Sequence, residues 1–182
     1  NEAEVIGRCL DCVKSFADEL VVVDTGSTAT TTEIASRYTD NVYDFKWIND
    51  FAAARNFSFS KATKDYVMWL DCDDIIDEHN QRAIQAVKTV LHNYDCDTFM
   101  AHYYIDSSLT TTVSRIITRG SCQWEGFVHE YLASTSKRIC LDFTITHRKP
   151  KSSVERDSGR NLRIFQEKLK EHVQFSTRDI LY

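Results

Sequence analysis

The sequence predicts an α/β domain with a mixed, mostly parallel sheet flanked by helices. Two apolar runs, residues 20–23 and 67–70, are the main observations behind this prediction. Each run is continuous rather than alternating, which is typical of strands covered on both faces. A polar turn and then a helical pattern follow each run, a succession that indicates the α/β class. The 182 residues fit one domain, or one domain with the beginning of another.

The composition excludes several classes of protein. Hydrophobic residues make up 42% of the chain and charged residues 27%, as in soluble globular proteins. The net charge of −5 argues against a nucleic-acid-binding protein, which is normally basic. The chain has no apolar run long enough for a membrane span and no secretory signal pattern at its first residue. We therefore expect a protein of the cytoplasm, with the inner face of the membrane as a second candidate location.

The cysteines predict neither disulfides nor a zinc site. Only two of them are closely spaced, and they fall within a helical pattern without a second pair at metal-ligand spacing. We expect reduced and mostly buried thiols. The six cysteines are Cys9, Cys12, Cys72, Cys96, Cys122 and Cys140.

The first half of the chain alternates helices and strands. The apolar spacing predicts helices over residues 1–18, 32–38 and 51–62, and strands over residues 20–24 and 42–45. Asn1 is a plausible cap of the first helix. Because α/β domains usually open with a strand, we expect a strand before Asn1 that this sequence does not contain.

The second half of the chain continues the pattern and ends in a charged helix. We predict strands over residues 67–70, 98–104, 111–117 and 139–145, and helices over residues 80–92 and 154–174. The last strand leads to His147. The charged residues of the last helix indicate a solvated face.

Three carboxylates, Asp71, Asp73 and Asp74, follow directly on the second apolar run. Neighbouring acids repel one another unless a cation lies among them. Carboxylate oxygens are the ligands that Mg²⁺ and similar cations prefer, often together with substrate phosphates. The other interpretation is an acidic cap on the following helix, and the local sequence leaves both open.

Two further positions are candidates for ligand binding. The first apolar run ends in Asp24 and Thr25, at the edge of the sheet where α/β proteins bind ligands. Asp24 could accept hydrogen bonds from a nucleobase or ribose, or it could serve only as a local cap. Arg55 lies one turn into an alanine-rich helix, where it could bind a phosphate or a carboxylate. The alternative for Arg55 is a solvated or salt-bridged surface arginine.

Five segments together resemble the inverting nucleotide-sugar glycosyltransferases of glycosyltransferase family 2, which have a Rossmann-like fold called GT-A. These segments are residues 1–2, 22–28, 49–56, 70–74 and 124–130. The chain is most similar to bacterial members whose catalytic domain precedes helical repeats, among them peptide S-glycosyltransferases. The resemblance implies a catalytic domain at residues 1–150 and a helical segment at residues 151–182, a candidate start of such repeats.

The resemblance also implies roles for the residues of the donor site. It implies that Asp24 and Thr25 bind the nucleoside of a UDP-sugar. Asp71 would lie near the ribose or sugar, as the first acid of the family's Asp-x-Asp motif. Asp73 would hold Mn²⁺ or Mg²⁺ on the diphosphate, and His147 matches a position where members of this fold place a metal or diphosphate ligand.

The same resemblance implies where the acceptor is activated. Glu130 matches the family's acceptor-side acid and is the first candidate for the general base, with Glu125 as its competitor and Asp74 as a weaker one. Arg55 would lie near the nucleotide or sugar. Trp124 is a candidate wall for the sugar, although core packing is the simpler explanation of a tryptophan.

The expected function is therefore metal-assisted transfer of a sugar from a UDP-sugar, with inversion, to a polysaccharide, a lipid-linked acceptor or a peptide. The donor would be a hexose derivative, and a homodimer is a candidate assembly. Two alternatives are a nucleotidyltransferase, which would need a glycine-rich basic loop, and a non-catalytic module that binds sugar nucleotides. The acids at positions 71, 73 and 130 argue against a decayed site.

Overall fold

The computed structural model describes residues 3–106, 108–134, 136–148 and 159–175, and within them five α-helices and nine strands. The helices are α1 (Ile6–Val13), α2 (Ala29–Ala35), α3 (Phe51–Lys61), α4 (Glu78–Lys88) and α5 (Arg160–Lys170). The strands are β1 (Val22–Asp24), β2 (Val42–Asp44), β3 (Tyr66–Met68), β4 (Asp74–Ile75), β5 (Thr98–Asp106), β6 (Leu109–Thr118), β7 (Gln123–Glu125), β8 (Tyr131–Ala133) and β9 (Arg138–His147).

A five-stranded mixed sheet, in the order β3-β6-β5-β9-β4, forms the centre of the fold. Strands β5 and β9 are parallel, whereas β3/β6, β5/β6 and β4/β9 are antiparallel pairs. Strands β1 and β2 form a separate parallel pair, and β7 and β8 form a hairpin. The predicted mixed α/β fold is confirmed, with more antiparallel pairing inside the central sheet than a mostly parallel sheet implies.

Side-chain caps determine where two of the helices begin. Asp50 accepts a hydrogen bond from the backbone N–H of Ala53 at 2.8 Å, which starts α3. Asp77 accepts one from the backbone N–H of Asn80 at 2.9 Å, so α4 begins before the predicted residue 80. Helix α1 is shorter than the predicted residues 1–18, and the predicted cap Asn1 lies outside the described residues.

The central sheet is covered on both faces. Ile116 and Ile117 are consecutive in β6 and therefore point to opposite faces. Ile116 packs in the principal core with Val13 of α1 and Ile84 of α4. Ile117 packs in a second cluster that includes Trp124. The layers are thus α1 and α4 on one face of the sheet, and α3 with the β7–β8 hairpin on the other.

The two apolar runs that predicted buried strands are only half-buried. Residues from both runs border a cavity of about 1200 Å³, which lies between β1 and β3. Met68 and Leu70 pack in the principal core and Trp69 packs in the second cluster, so the second run has apolar cover on both faces. The two runs are half-buried, and not fully buried as predicted, because the cavity lies beside them.

Helix α5 packs against the body of the domain. Its Ile164 and Phe165 contact Phe127, Val128 and other apolar residues near the end of the β7–β8 hairpin loop. The helix covers only part of the predicted residues 154–174, of which residues 154–158 lie outside the described part of the chain. In the part of the chain that the structure describes, no helix is long and apolar enough to cross a membrane.

Candidate active site

The cavity brings the ends of several elements together. Its wall includes Thr25 after β1, the acidic turn after β3, Arg55 of α3, Glu130 before β8 and His147 at the end of β9. Residues that are far apart in the sequence thus meet at one edge of the fold. This is the edge at which the sequence predicted ligand binding.

The acidic residues form a tight turn between β3 and β4. The backbone N–H of Asp74 donates to the carbonyl of Asp71 at 2.9 Å, and the Asp74 carboxylate accepts from the N–H of Asp71 at 3.1 Å. Strand β4 then pairs with β9, which places Asp74 opposite His147. The N–H of Arg148 donates to the carbonyl of Asp73 at 2.9 Å. The turn is therefore fixed at both ends, with Asp73 beside His147.

Asp74 belongs to a buried ion pair. Its carboxylate lies 3.0 Å from Nη1 of Arg115, and the two side chains are 0% and 1% exposed. The Arg115 guanidinium stacks on Trp69 and Tyr103, at 3.8 and 4.3 Å from the ring centroids. Burial raises the pKa of Asp74, while the Arg115 charge opposes that shift. Asp74 is thus a structural residue of the turn, and its predicted minor role as a base is wrong because its oxygens are buried and occupied.

Three residues have donor atoms close enough to surround a cation. One ligand atom each from Asp73, Asp74 and His147 lies within 4.8 Å of the others. Asp74 already accepts hydrogen bonds from Arg115, Tyr103 and the turn backbone. Asp73 and His147 remain, with side chains that are 16% and 27% exposed. A carboxylate and an imidazole fit a divalent cation such as Mn²⁺, so the chemistry of this pair agrees with the predicted metal ligands.

Arg55 bridges two of the predicted functional acids. Its Nε donates to Oε1 of Glu130 at 2.7 Å, and its Nη2 donates to Oδ1 of Asp71 at 2.9 Å. The guanidinium lies over Trp69 and Trp124, at 4.4 and 4.8 Å from the ring centroids. Burial alone would lower the pKa of Arg55, but the two carboxylates raise it above its ordinary value. Arg55 is therefore a fixed cation whose partners are two carboxylates of the protein. A carboxylate was one of the two ligands that the sequence suggested for it.

Glu130 and Glu125 lie in different surroundings. Glu130 borders the cavity and its side chain is 14% exposed. Positive φ angles at Gly126 (89°) and His129 (51°) bend the chain that leads to it. Glu125 is exposed on β7, accepts a hydrogen bond from Tyr131 Oη at 2.7 Å and does not border the cavity. The structure thus groups only the first candidate base with the other predicted site residues.

Trp124 lies in the core below Arg55. It is 5% exposed, and its ring packs on Trp69 and Phe59 at centroid distances of 5.0 and 5.9 Å. Because Trp124 does not border the cavity, the structure places it in the core and not at the predicted sugar wall. Trp69, which the sequence did not single out, packs against Trp124 under the same guanidinium and borders the cavity.

Asp24 shapes the turn after β1. Both of its carboxylate oxygens lie 3.1 Å from the backbone N–H of Ser27. The local hydrogen bond that the sequence offered as an alternative is therefore present. The neighbouring Thr25 is exposed and borders the cavity. The roles of both residues in nucleoside binding stay predictions.

Sequence analysis did not identify Arg115 and Tyr103, which hold the acidic turn from below. A signal for Arg115 was available, because a charged residue directly before the apolar pair at positions 116–117 is unusual within a strand. No comparable signal marks Tyr103, since tyrosine is common in strands.

Comparison with known proteins identifies a family match over most of the chain. The family model described as glycosyl transferase family 2 matches residues 1–154. These residues include every candidate site residue from Asp24 to His147. The match therefore covers the whole wall of the cavity apart from the residues that α5 contributes.

Several curated relatives carry glycosyltransferase names. The SPbeta prophage-derived glycosyltransferase SunS of Bacillus subtilis is 26% identical over 183 residues, which cover 93% of this chain and 43% of the relative. A glycosyltransferase of Rickettsia prowazekii is 32% identical over 52% of this chain and 32% of its own length. A TPR repeat-containing protein of Synechococcus elongatus is 43% identical over 41% of this chain and 18% of its own length. The chain spans less than half the length of each of these relatives.

Solved structures show the same fold. The structure of S. aureus TarS 1-349 in complex with UDP-GlcNAc has a TM-score of 0.61 and 16% sequence identity, and the match covers 82% of this chain and 57% of that one. TarS 1-349 in another crystal structure gives a TM-score of 0.50 at 20% identity over 59% of this chain and 34% of that one. At these identities the comparison shows a common fold.

Proposed function

The chain belongs to glycosyl transferase family 2, and we propose that it transfers a hexose derivative from a UDP-sugar to an acceptor nucleophile with inversion. One observation carries this proposal: Arg55 joins Glu130 to Asp71 on the wall of the cavity that Asp73 and His147 also border. Arg55 therefore keeps Glu130, the proposed acceptor-side acid, at a fixed distance from Asp71, a proposed acid of the donor site. The ligand named in the TarS complex, UDP-GlcNAc, supports a UDP-sugar as the donor.

The proposed mechanism assigns the acceptor proton to Glu130. Inversion requires the nucleophile to attack the anomeric carbon from the side opposite the departing diphosphate, and a base to remove its proton. Arg55 holds Oε1 of Glu130, which leaves Oε2 to receive that proton. Asp71 is oriented by the same guanidinium toward the ribose and sugar. Arg55 thus aligns both carboxylates without contacting the substrate.

A divalent cation would complete the donor site. We propose that Asp73 and His147 hold Mn²⁺ or Mg²⁺ between them. Such an ion supplies positive charge that neutralises the diphosphate as it departs. The buried Asp74–Arg115 pair keeps the acidic turn in place beneath it.

The acceptor is proposed only as a class. A polysaccharide, a lipid-linked glycan or a peptide would each supply a nucleophile that Glu130 can deprotonate. We also propose that residues 1–150 form the catalytic domain and that residues 151–182 form a helical segment leading into repeats. Helix α5 in that segment and the TPR repeat-containing relative support this division.

The proposal predicts metal-dependent binding of UDP. We expect UDP to bind in the presence of Mn²⁺, and Asp73→Ala to weaken that binding by more than about tenfold because a metal ligand is lost. Isothermal titration calorimetry with and without Mn²⁺ measures both effects. Asp142→Ala, on the exposed face of β9, is the matched control and should bind like the unchanged protein. If the folded protein binds no UDP under any condition, the proposed donor is wrong.

A second prediction concerns Arg55. Arg55→Lys keeps the charge but replaces the rigid fork, in which Nε and Nη2 each hold one carboxylate, with a single nitrogen on a flexible stem. We expect kcat to fall by about 10–100-fold, in the range seen when a residue that orients functional groups is changed. Arg82→Lys, on the exposed face of α4, serves as the control. Steady-state kinetics of UDP release measures this effect. If Arg55→Lys turned over as fast as Arg82→Lys, the proposed alignment role of Arg55 would be wrong.

A further inference from the structure

We propose that Trp69 is a positioning residue, whose ring holds the guanidinium of Arg55 and, through it, the two carboxylates that Arg55 joins. Those carboxylates are Glu130 and Asp71. The arrangement of these side chains follows from their contacts alone. Its use in catalysis rests on the proposed function. Trp69 acts in this sense through Arg55 and not on the substrate.

Aromatic and cationic side chains alternate around Trp69. The Cζ atoms of Arg115 and Arg55 lie 3.8 and 4.4 Å from the centroid of its ring. Two guanidinium groups repel each other and cannot occupy one face of a ring at these distances, so they lie on opposite faces. Tyr103 also contacts Arg115, at 4.3 Å, and Trp124 contacts Arg55, at 4.8 Å. The ring of Trp69 therefore connects the two arginines.

Strand β6 fixes the ring of Trp69. The indole Nε1–H donates to the carbonyl of Ser114 at 2.7 Å, and the backbone N–H of Trp69 donates to the carbonyl of Arg115 at 3.2 Å. Nη1 of Arg115 donates in return to the carbonyl of Trp69 at 3.3 Å. Trp124 packs on the ring at a centroid distance of 5.0 Å and an interplanar angle of 85°. The ring is thus a rigid surface on which Arg55 lies.

The covered faces of Trp69 exclude a direct role in stacking on a sugar. The residue borders the cavity, as a stacking residue would. Stacking needs an open face, however, and a guanidinium lies on each face of this ring. Only the edge of the ring is left to meet a ligand. Trp69 therefore affects the reaction through the groups that it holds.

Arg55 needs this surface because its hydrogen bonds hold only its edge. Nε and Nη2 lie in the plane of the guanidinium, and they donate to Glu130 at 2.7 Å and to Asp71 at 2.9 Å. The Asp71 side chain is 41% exposed, so it can move together with the guanidinium. The attraction between the cation and the ring of Trp69 opposes that movement. Trp69 is also only two residues before Asp71, so one short segment supplies both the ring and one carboxylate.

The kinetic test removes the ring. We expect Trp69→Leu to lower kcat for UDP release from UDP-GlcNAc by about 100-fold, since a misplacement of about 1 Å costs that much. KM should change little, because no contact with the substrate is lost. Trp69→Phe keeps an aromatic face and should retain most of kcat. Tyr94→Leu, at 41% exposure and away from the cavity, is the control.

The double variant Trp69→Leu with Arg55→Lys tests whether the effect passes through Arg55. If it does, the double variant should be no slower than the slower of the two single variants. Effects that multiply in the double variant would overturn the proposal. A Trp69→Phe enzyme as slow as Trp69→Leu would overturn it too, because the aromatic face would then not be the feature that holds Arg55.

Hydrogen exchange tests the position of Arg55 without any activity. The Arg55 Nε–H signal in ¹H–¹⁵N spectra, identified with Arg55→Lys, should exchange at least about tenfold faster in folded Trp69→Leu than in Tyr94→Leu. Equal rates in these two variants would contradict the proposal. So would an Nε–H of the unchanged protein that exchanges as fast as that of an exposed arginine, and this result needs no variant to fold. If exchange behaves as expected but the protein releases no UDP, the proposed function fails and the role of Trp69 in holding Arg55 stands.

Discussion

Glu130→Gln is expected to lower the rate of sugar transfer by about 10²–10⁴-fold, the usual contribution of a positioned general base. The amide keeps an oxygen that can accept the hydrogen bond from Arg55, so the local structure should survive. It cannot take a proton from the acceptor at neutral pH. We expect UDP affinity to stay unchanged, because the proposed role of Glu130 is toward the acceptor and not toward the donor. Release of UDP measures turnover, and calorimetry measures binding.

Glu125→Gln distinguishes the two candidate bases. Its carboxylate lies on the exposed side of β7, so the same substitution there should leave turnover unchanged. If Glu125→Gln lost activity and Glu130→Gln kept it, the assignment of the base would be reversed. If both variants kept full activity, neither carboxylate would be the base.

Arg115→Met is expected to lower the free energy of unfolding by about 3–5 kcal/mol, because removing one partner of a buried ion pair leaves an uncompensated charge. Asp74, at 0% exposure, would be left without its cation. Methionine fills much of the same volume, so the loss should come mainly from charge and not from a cavity. Urea unfolding followed by circular dichroism measures the change.

Two further variants isolate the role of the charge pair. Arg119→Met, in the exposed turn directly after β6, should change stability little. The double variant Arg115→Met with Asp74→Asn should recover part of the loss, since the unpaired charge is removed with its partner. A double variant less stable than Arg115→Met alone would show that Asp74 does not need a cation.

The sequence predicted the elements that carry strong local signals. Helices α3 and α4 were predicted from their apolar and alanine-rich patterns, whereas their caps, Asp50 and Asp77, were not identified from the sequence. Strands β5 and β9 were predicted from length and apolar content. Strands β4, β7 and β8 were missed, because two or three residues carry no periodicity and owe their conformation to a partner strand.

The sequence predicted only those residues of the candidate site that lie in segments with a recognisable local pattern. Asp71, Asp73, Arg55 and Glu130 belong to segments that resemble a family, and the structure places all four around one cavity or its wall. The contact of Arg55 with two carboxylates at once depends on how α3 packs, which no local pattern encodes. The half-buried state of the first apolar run could not be predicted either, since a cavity is a property of neighbouring elements.

The antiparallel pair of β4 and β9 has a consequence for folding. Asp74 and His147 are opposite each other in that pair although 72 residues lie between them in the sequence. Closing such a long loop is entropically costly and slow compared with forming the β5–β6 hairpin. A cation held by Asp73 and His147 would act as a cross-link across that loop. Binding of such a cation would then add to the stability of the folded chain, because only folding brings the two residues together.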